Sequence, residues 1–155
     1  MSREIKSVAV IGGGTMGTGI AGLCAQRGHK VLLLDVSEEA VETARERILN
    51  GRPPAVDEPE KADNITFGTI DADLAQIANY DWICEAVIED LETKRALFEK
   101  MEPLRREGSV ISTNTSGIPL RDVTEGLPDS LRRDIAVTHF FNPVKIMRLM
   151  ELVPG

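Results

Sequence analysis

Apolar residues in this chain fall into short continuous runs, separated by segments in which apolar positions recur at helical spacing. Short apolar runs rich in branched side chains are typical of strands buried on both faces. The predicted strands are Ile5–Ile11, Lys30–Asp35, Ile65–Phe67, Trp82–Glu85, Ser109–Ser112, Ile135–Thr138 and Leu149–Val153. The predicted helices are Thr15–Gln26, a segment capped by Ser37 with Val41, Ala44 and Ile48 on one face, Asp71–Ala78, and a segment marked by Leu91, Leu97, Phe98, Met101 and Leu104. Alternation of strands and helices predicts an α/β fold, with a doubly wound, mostly parallel sheet of the Rossmann type.

The length and the breaks in the pattern indicate one domain. A chain of 155 residues fits a single domain. Arg52–Asn64 is rich in proline and charge and poor in large apolar residues, so we predict an exposed connection there and not a domain boundary. The chain stops at Val153-Pro154-Gly155, directly after a predicted strand. We therefore expect residues 1–155 to be one domain of a longer protein.

A glycine motif lies at the first turn between strand and helix. Gly12-Gly13-Gly14-Thr15-Met16-Gly17 has the spacing G-x-G-x-x-G and follows the run Val8–Ile11 directly. Gly12 allows the tight turn, Gly14 allows a pyrophosphate to approach the backbone, and Gly17 allows the helix to pack on the strand. The free N–H groups of the first helical turn, including Thr15 and Met16, favour an anionic ligand. The motif predicts a dinucleotide site.

The second predicted strand ends in an acid, and this residue selects the cofactor. Asp35 follows Gly17 by 18 residues, close to the spacing expected for a carboxylate that binds the adenosine ribose. Its charge would repel a 2′-phosphate, and Val36 and Ser37 supply no arginine to bind one. The sequence therefore predicts NAD and not NADP. A glycine-rich turn in some other α/β protein is the alternative.

Composition and charge limit the classes of binding partner and the cellular compartment that we expect. The net charge of −7 argues against nucleic acid as a partner. The charged start has no signal-peptide pattern, and the apolar runs are too short to span a membrane. Cys24 and Cys84 have neither metal nor redox spacing, so we predict buried thiols, a reducing, cytoplasmic compartment and no metal site.

Three polar residues follow or interrupt later strands, where ligands of such sheets bind. They are Ser116, His139 and Glu151. Alcohol oxidation needs a base for the hydroxyl proton, and histidine titrates near neutral pH. Because glutamate is seldom buried without a partner, Glu151 within an apolar run suggests pairing with His139. The spacing also fits a surface glutamate on an edge strand beside a histidine bound in a turn. Ser116 lacks the G-x-S-x-G pattern of a nucleophile, so we expect it to bind substrate or to be an ordinary turn serine.

Five motifs together resemble the NAD-binding domain of the L-3-hydroxyacyl-CoA dehydrogenases, a family of fatty-acid metabolism. They cover nearly the whole chain in the family's order, with the histidine and the glutamate 12 residues apart. The motifs are the glycine segment with Gly19-Ile20-Ala21, Glu85–Leu91 with Lys94, Asn114-Thr115-Ser116, His139–Pro143, and Glu151-Leu152-Val153.

The resemblance implies roles for particular residues. His139 would be the general base and Glu151 the carboxylate that orients it. Ser116 would hydrogen-bond the 3-oxygen of an acyl-CoA thioester, and Asn142 would help to hold the site together. Glu89 and Lys94 would lie beside the nicotinamide-ribose half of NAD, although by pattern alone they are a loop acid and a lysine in the first turn of a helix.

Two departures from the family change the expectations. Arg52–Asn64 is short where family members carry a helical hairpin that helps to hold CoA, a variation that resembles larger multifunctional chains with an enoyl-CoA hydratase unit. The family's C-terminal helical domain, which closes the site and forms the homodimer, is also missing from residues 1–155. We expect this chain alone to bind NAD but to turn over poorly. A non-catalytic NAD-binding module and a dehydrogenase for another small 3-hydroxy acid are the alternatives.

Overall fold

A computed structural model describes residues 4–147 and 149–155. Within them, seven strands form a single sheet in the order β3-β2-β1-β4-β5-β6-β7. All neighbouring strands are parallel except β6 and β7, which are antiparallel. The strands are β1 (Ser7–Ile11), β2 (Lys30–Asp35), β3 (Ile65–Thr69), β4 (Trp82–Glu85), β5 (Val110–Thr113), β6 (Ile135–Phe140) and β7 (Met150–Pro154). The predicted fold, a mostly parallel Rossmann-type sheet, is confirmed.

Helices cover both faces of the sheet. They are α1 (Thr15–Gln26), α2 (Glu38–Asn50), α3 (Ile70–Asp73), α4 (Leu91–Met101), α5 (Leu120–Thr124) and α6 (Asp129–Asp134), with 3-10 helices at Pro59–Asn64 and Leu74–Asn79. The Ser37 hydroxyl caps α2 by accepting a hydrogen bond from Ala40 N at 3.1 Å, as predicted. The predicted strand positions were close to the observed ones, because continuous apolar runs mark strands whose two faces are both covered.

The core consists of two clusters, one on each face of the sheet. Successive side chains of β1 alternate between them: Ala9 and Ile11 lie in one cluster, and Val8 and Val10 lie in the other. Both cysteines are buried, as predicted. Burial raises the pKa of the Cys24 thiol to about 11 and that of the Cys84 thiol to about 12, so neither is a reactive thiolate near neutral pH.

The connection Arg52–Asn64 is mostly exposed, as predicted, and Val56, at 3% exposure, is its one buried residue. A Cβ added at Gly22 would lie 2.5 Å from the Cβ of Ala55, so part of the connection packs closely on α1. One local prediction was wrong, and two helices were missed. Asp71–Ala78 is not one helix: the α-helix ends at Asp73, and the chain continues as a 3-10 helix over Leu74–Asn79. Helices α5 and α6 were not predicted, since each is a short segment after a proline without an amphipathic repeat.

Candidate active site

The glycine turn lies at the point where the strand order reverses, between β1 and β4. Gly12 has a φ of 111°, a conformation that L-residues rarely adopt. Its amide donates a hydrogen bond to Leu34 O at 2.8 Å, and a Cβ added to it would lie 2.5 Å from the carbonyl oxygen of Ala86. The turn therefore lies directly against the chain that leaves β4, at the carboxyl edge where open α/β sheets bind ligands.

Two further glycines of the motif differ in their surroundings. A Cβ at Gly17 would lie 1.8 Å from the carbonyl oxygen of Gly12, so α1 packs on the turn without space for a side chain. A Cβ at Gly14 would have nothing within 4 Å. Gly14 is the N-cap of α1, beside the N–H groups of the first turn that lack helical partners. This open position is one that a phosphate group can occupy.

Asp35 supports the glycine turn as well as carrying charge. One carboxylate oxygen accepts a hydrogen bond from Gly13 N at 2.9 Å, and the other accepts one from Val36 N at 2.7 Å. At the carbonyl of the same residue, Arg47 donates a hydrogen bond to Gly13 O at 3.3 Å. The pattern of residues gave no sign of Arg47, because it lies 34 positions from Gly13 on the face of another helix.

A cleft of about 960 Å³ opens over this edge of the sheet, a volume typical of cofactor sites. Gly12–Met16 form one wall, Asp35 and Val36 form the end near β2, and Ala86–Ile88 follow from β4. Helix α4 contributes Ala96, Leu97 and Lys100. The cleft combines free helical N–H groups for phosphates, a carboxylate for ribose hydroxyls and apolar walls for ring systems. These residues fit a dinucleotide.

A cluster of polar side chains lies beyond the cleft, over β4 and β5. The Lys94 ammonium is 2.6 Å from the carboxylate of Glu85 and 3.6 Å from that of Glu89. Glu89 accepts hydrogen bonds from Thr115 Oγ1 at 2.6 Å and from Ser116 N and Oγ at 3.0 and 3.1 Å. Burial alone raises the pKa of Glu89, but the bonds from Thr115 and Ser116 and the charge of Lys94 outweigh it and lower this pKa.

Two features of this cluster differ from what the sequence suggested. Lys94 looked like an ordinary lysine of a first helical turn, yet its side chain is 2% exposed. Glu85, its main partner, was not among the predicted site residues. The only available signal was a glutamate at the end of an apolar strand, which requires a counterion if that position is buried.

His139 and Glu151 face each other across the antiparallel pair β6 and β7. They are direct partners in the strand register, and His139 Nδ1 lies 3.6 Å from a carboxylate oxygen of Glu151. The predicted pairing is therefore geometrically present, but its argument from burial was wrong. The Glu151 side chain is 61% exposed, because every residue of β7 is exposed on an edge strand. Strand β6 runs parallel to β5, so His139 lies towards the same sheet edge as the glycine turn.

The two asparagines near the site have different positions. Asn114 connects β5 to β6, since its side-chain oxygen accepts a hydrogen bond from Phe140 N at 3.0 Å. Asn142 is exposed and lines a separate groove with Thr15 and Thr18 of α1. The structure thus brings Ser116 together with Glu89 and Lys94, and His139 together with Glu151. The structure places Asn142 in the loop after β6, on the side that faces α1.

Comparison with known sequences identifies the family. Residues 7–155 match the sequence profile of the family described as "3-hydroxyacyl-CoA dehydrogenase, NAD binding domain". The chain belongs to this family. Its cofactor is NAD, as Asp35 and the glycine motif predicted.

Relatives of this NAD-binding domain are longer proteins. The chain is 41% identical to a putative fatty acid oxidation complex trifunctional enzyme of Rickettsia felis, over 99% of the chain and 22% of the relative. It is 37% identical to a probable 3-hydroxyacyl-CoA dehydrogenase of Deinococcus radiodurans, over 97% of the chain and 46% of the relative. The crystal structure of 3-hydroxybutyryl-CoA dehydrogenase from Escherichia coli superposes with a TM-score of 0.84 at 34% identity, over 97% of this chain and 32% of that one. The chain thus spans about a fifth to a half of the curated relatives that it matches.

Across residues 4–147 and 149–155, the structure contains no helix with both the length and the apolar character needed to cross a bilayer.

Proposed function

We propose that this domain serves the NAD-dependent interconversion of L-3-hydroxyacyl-CoA and 3-oxoacyl-CoA in fatty-acid metabolism. The observation that carries the proposal is the placement of His139 opposite Glu151, at the sheet edge that also carries the glycine turn. A module that only binds NAD has no need of a base there. Family membership supports the cofactor half of the proposal.

The cleft over β1, β2 and β4 would hold the cofactor. The N–H groups at the start of α1 would bind the pyrophosphate, with the open position at Gly14 leaving space for it. Asp35 would accept hydrogen bonds from the adenosine ribose while keeping its two bonds to the backbone. With adenosine at β2, the other half of the dinucleotide extends past the turn towards β4 and β5. When bound there, NAD supplies the hydride acceptor of the oxidation.

His139 would handle the proton. In the oxidation, its ring accepts the proton of the substrate hydroxyl, and in the reduction the ring returns that proton. Glu151 lies close enough to stabilise the imidazolium, since opposite charges 3.6 Å apart attract even where solvent reaches them. A small movement would convert this contact into a hydrogen bond from Nδ1, and catalytic contacts often tighten when substrate binds.

Ser116 would orient the substrate. Its hydroxyl donates to Glu89 at 3.1 Å and is exposed, so its oxygen can accept a hydrogen bond while Glu89 holds it. A substrate hydroxyl between Ser116 and His139 would be fixed in position for proton transfer. Asn142 would then act from the loop after β6 and not from the paired strands.

The complete activity would require a longer protein. We propose that residues 1–155 are the NAD-binding domain, that a helical domain after them closes the site, and that this second domain forms the homodimer. The CoA part of the substrate would bind mainly outside the folded connection Arg52–Asn64. A cytoplasmic location and the lack of nucleic-acid and membrane partners stay predictions.

The test is acetoacetyl-CoA-dependent oxidation of NADH, measured by the absorbance of NADH for the full-length protein and for residues 1–155. We expect turnover by the full-length protein with NADH but not with NADPH, and NADH binding with little turnover by the shorter chain. Binding of NADH without turnover of any 3-oxoacyl-CoA by the full-length protein would favour the non-catalytic module. Faster turnover of free acetoacetate than of its CoA thioester would favour a dehydrogenase of small 3-hydroxy acids.

A further inference from the structure

Lys94 is unusually buried for a lysine. Its side chain is 2% exposed and lies among the largest fully buried side chains of the described residues. Burial of an ammonium is costly unless a counterion accompanies it, and Glu85, itself 0% exposed, lies 2.6 Å away. An ammonium enclosed in this way does not reach into the cofactor cleft. Any effect of Lys94 on the bound ligand must therefore pass through the residues that it contacts.

Glu85 connects four parts of the fold. One carboxylate oxygen accepts hydrogen bonds from Lys94 Nζ at 2.6 Å and from Val87 N at 2.8 Å. The other accepts a hydrogen bond from Thr113 Oγ1 at 2.6 Å. The contacts join the end of β4, the loop after it, helix α4 and the end of β5. Val87 lines the cofactor cleft, so this wall of the cleft depends on Glu85.

The second contact of Lys94 leads to Ser116. Lys94 Nζ lies 3.6 Å from Glu89 Oε1, and the other oxygen of Glu89 accepts hydrogen bonds from both the amide and the hydroxyl of Ser116. The Glu89 side chain is 44% exposed, so packing alone does not hold it. Its position is set by Lys94 on one side and by Thr115 and Ser116 on the other.

We propose that Glu85 is a positioning residue for the reaction: through Lys94 it keeps Glu89 in place, and Glu89 orients the Ser116 hydroxyl. The role of Ser116 towards substrate rests on the proposed function. With the charge of Glu85 removed, Glu89 becomes the remaining carboxylate beside Lys94. The ammonium then draws Glu89 from 3.6 Å into direct contact and away from Ser116.

The first test requires no activity. In the free chain, Glu85→Gln keeps the shape of the side chain but removes its charge. We expect the Ser116 amide proton to move upfield and to exchange with deuterium at least about tenfold faster, as its bond to the Glu89 carboxylate is lost.

The matched control is Glu102→Gln. Glu102 pairs with Arg105, whose side chain is 3% exposed, near the amino-terminal edge of the sheet. The Glu102→Gln substitution removes the same charge from a comparably buried pair. It should leave the chemical shift and the exchange rate of the Ser116 amide unchanged. An unchanged Ser116 amide in the Glu85→Gln variant would overturn the proposal.

The second test is a double-mutant cycle on turnover of acetoacetyl-CoA by the full-length protein. Glu85→Gln should lower kcat at least about tenfold in the wild-type background and less than about twofold in a Ser116→Ala background, because both changes remove one function. If the separate effects of Glu85→Gln and Ser116→Ala on kcat multiply in the double variant, Glu85 does not act through Ser116.

If Glu85→Gln fails to fold, the same cycle is run with Glu85→Leu and Lys94→Met together, since an apolar pair often replaces a buried ion pair without loss of stability. A stable apolar pair with wild-type kcat would also overturn the proposal. Absence of turnover in the wild type would contradict the proposed function instead, and the amide measurement would still decide the role of Glu85.

Discussion

Gly14 and Gly17 lie three residues apart in one motif, yet alanine should have opposite effects at the two positions. At Gly17 the new Cβ would lie 1.8 Å from the Gly12 carbonyl oxygen, a backbone atom of a turn that is itself held by Leu34. Helix α1 must therefore move away from the turn by more than an ångström, and overpacking of this kind costs about 3 kcal/mol. For a domain of this size, the cost corresponds to a fall in Tm of about 6–12 °C.

At Gly14 the same methyl group meets no protein atom within 4 Å, and φ is −74°, which alanine adopts readily. We expect a stability change within about 0.5 kcal/mol, since a weaker N-cap and a less flexible unfolded chain nearly cancel. The methyl group would instead occupy the place proposed for the pyrophosphate. A steric cost of about 1–3 kcal/mol there weakens NADH binding roughly 5- to 160-fold.

The assay pairs thermal unfolding by circular dichroism with fluorescence titration of NADH on residues 1–155. Gly17→Ala should lower Tm, whereas Gly14→Ala should lower affinity at nearly unchanged Tm. Wild-type NADH affinity in the Gly14→Ala variant would refute the placement of the phosphates at this turn. A wild-type Tm for Gly17→Ala would refute the packing argument.

Three further predictions concern charge. Asp35→Arg should weaken NADH binding at least about tenfold and strengthen NADPH binding, since it replaces the ribose acceptor by a cation; unchanged NADH affinity by titration would contradict the cofactor assignment. Glu151→Gln should lower kcat of the full-length protein at least about fivefold, the value of a solvent-exposed ion pair of about 1 kcal/mol; an unchanged kcat would exclude a role for the carboxylate. A hydrogen bond from Arg106, followed by one from Lys6 N, lowers the pKa of Asp81 to about 2. Because the folded-state pKa is below its ordinary value, the ionised group stabilises the fold above about pH 4 and this is lost as the pH falls towards 2. Urea unfolding at pH 6 and pH 3 should give about 1 kcal/mol less of this pH dependence for Asp81→Asn than for wild type, because a carboxyl group with a pKa of about 2 is still mostly ionised at pH 3, and an equal pH dependence of the two proteins would contradict the assignment.

The parts of the fold that could be predicted from sequence are those in which neighbouring residues carry the signal. The apolar run of β1, the glycine turn and the acid at the end of β2 are each local, and their order implies a sheet with a known ligand edge. The predicted pair of His139 and Glu151 is present in the register of β6 and β7. Its reasoning failed, since an apolar run can also form an exposed edge strand.

The parts that could not be predicted depend on contacts between distant elements. By pattern alone Lys94 was an ordinary lysine in the first turn of a helix, because a helix with few turns gives no sign of which face is covered. Its burial with Glu85 follows from the path of the chain between β4 and α4. Arg47 reaches the glycine turn from another helix. In both cases a charged residue is held by a partner that only the tertiary structure brings near.

The central claim is that His139 transfers the substrate proton. It is tested most directly by kcat for acetoacetyl-CoA reduction in the full-length protein with His139→Gln, at saturating NADH. The control is His29→Gln, which changes the other histidine, in the turn before β2. We predict a fall of about 10² or more for His139→Gln, with NADH affinity preserved, and little change for His29→Gln. A His139→Gln enzyme that turns over at close to the wild-type rate would contradict the mechanism.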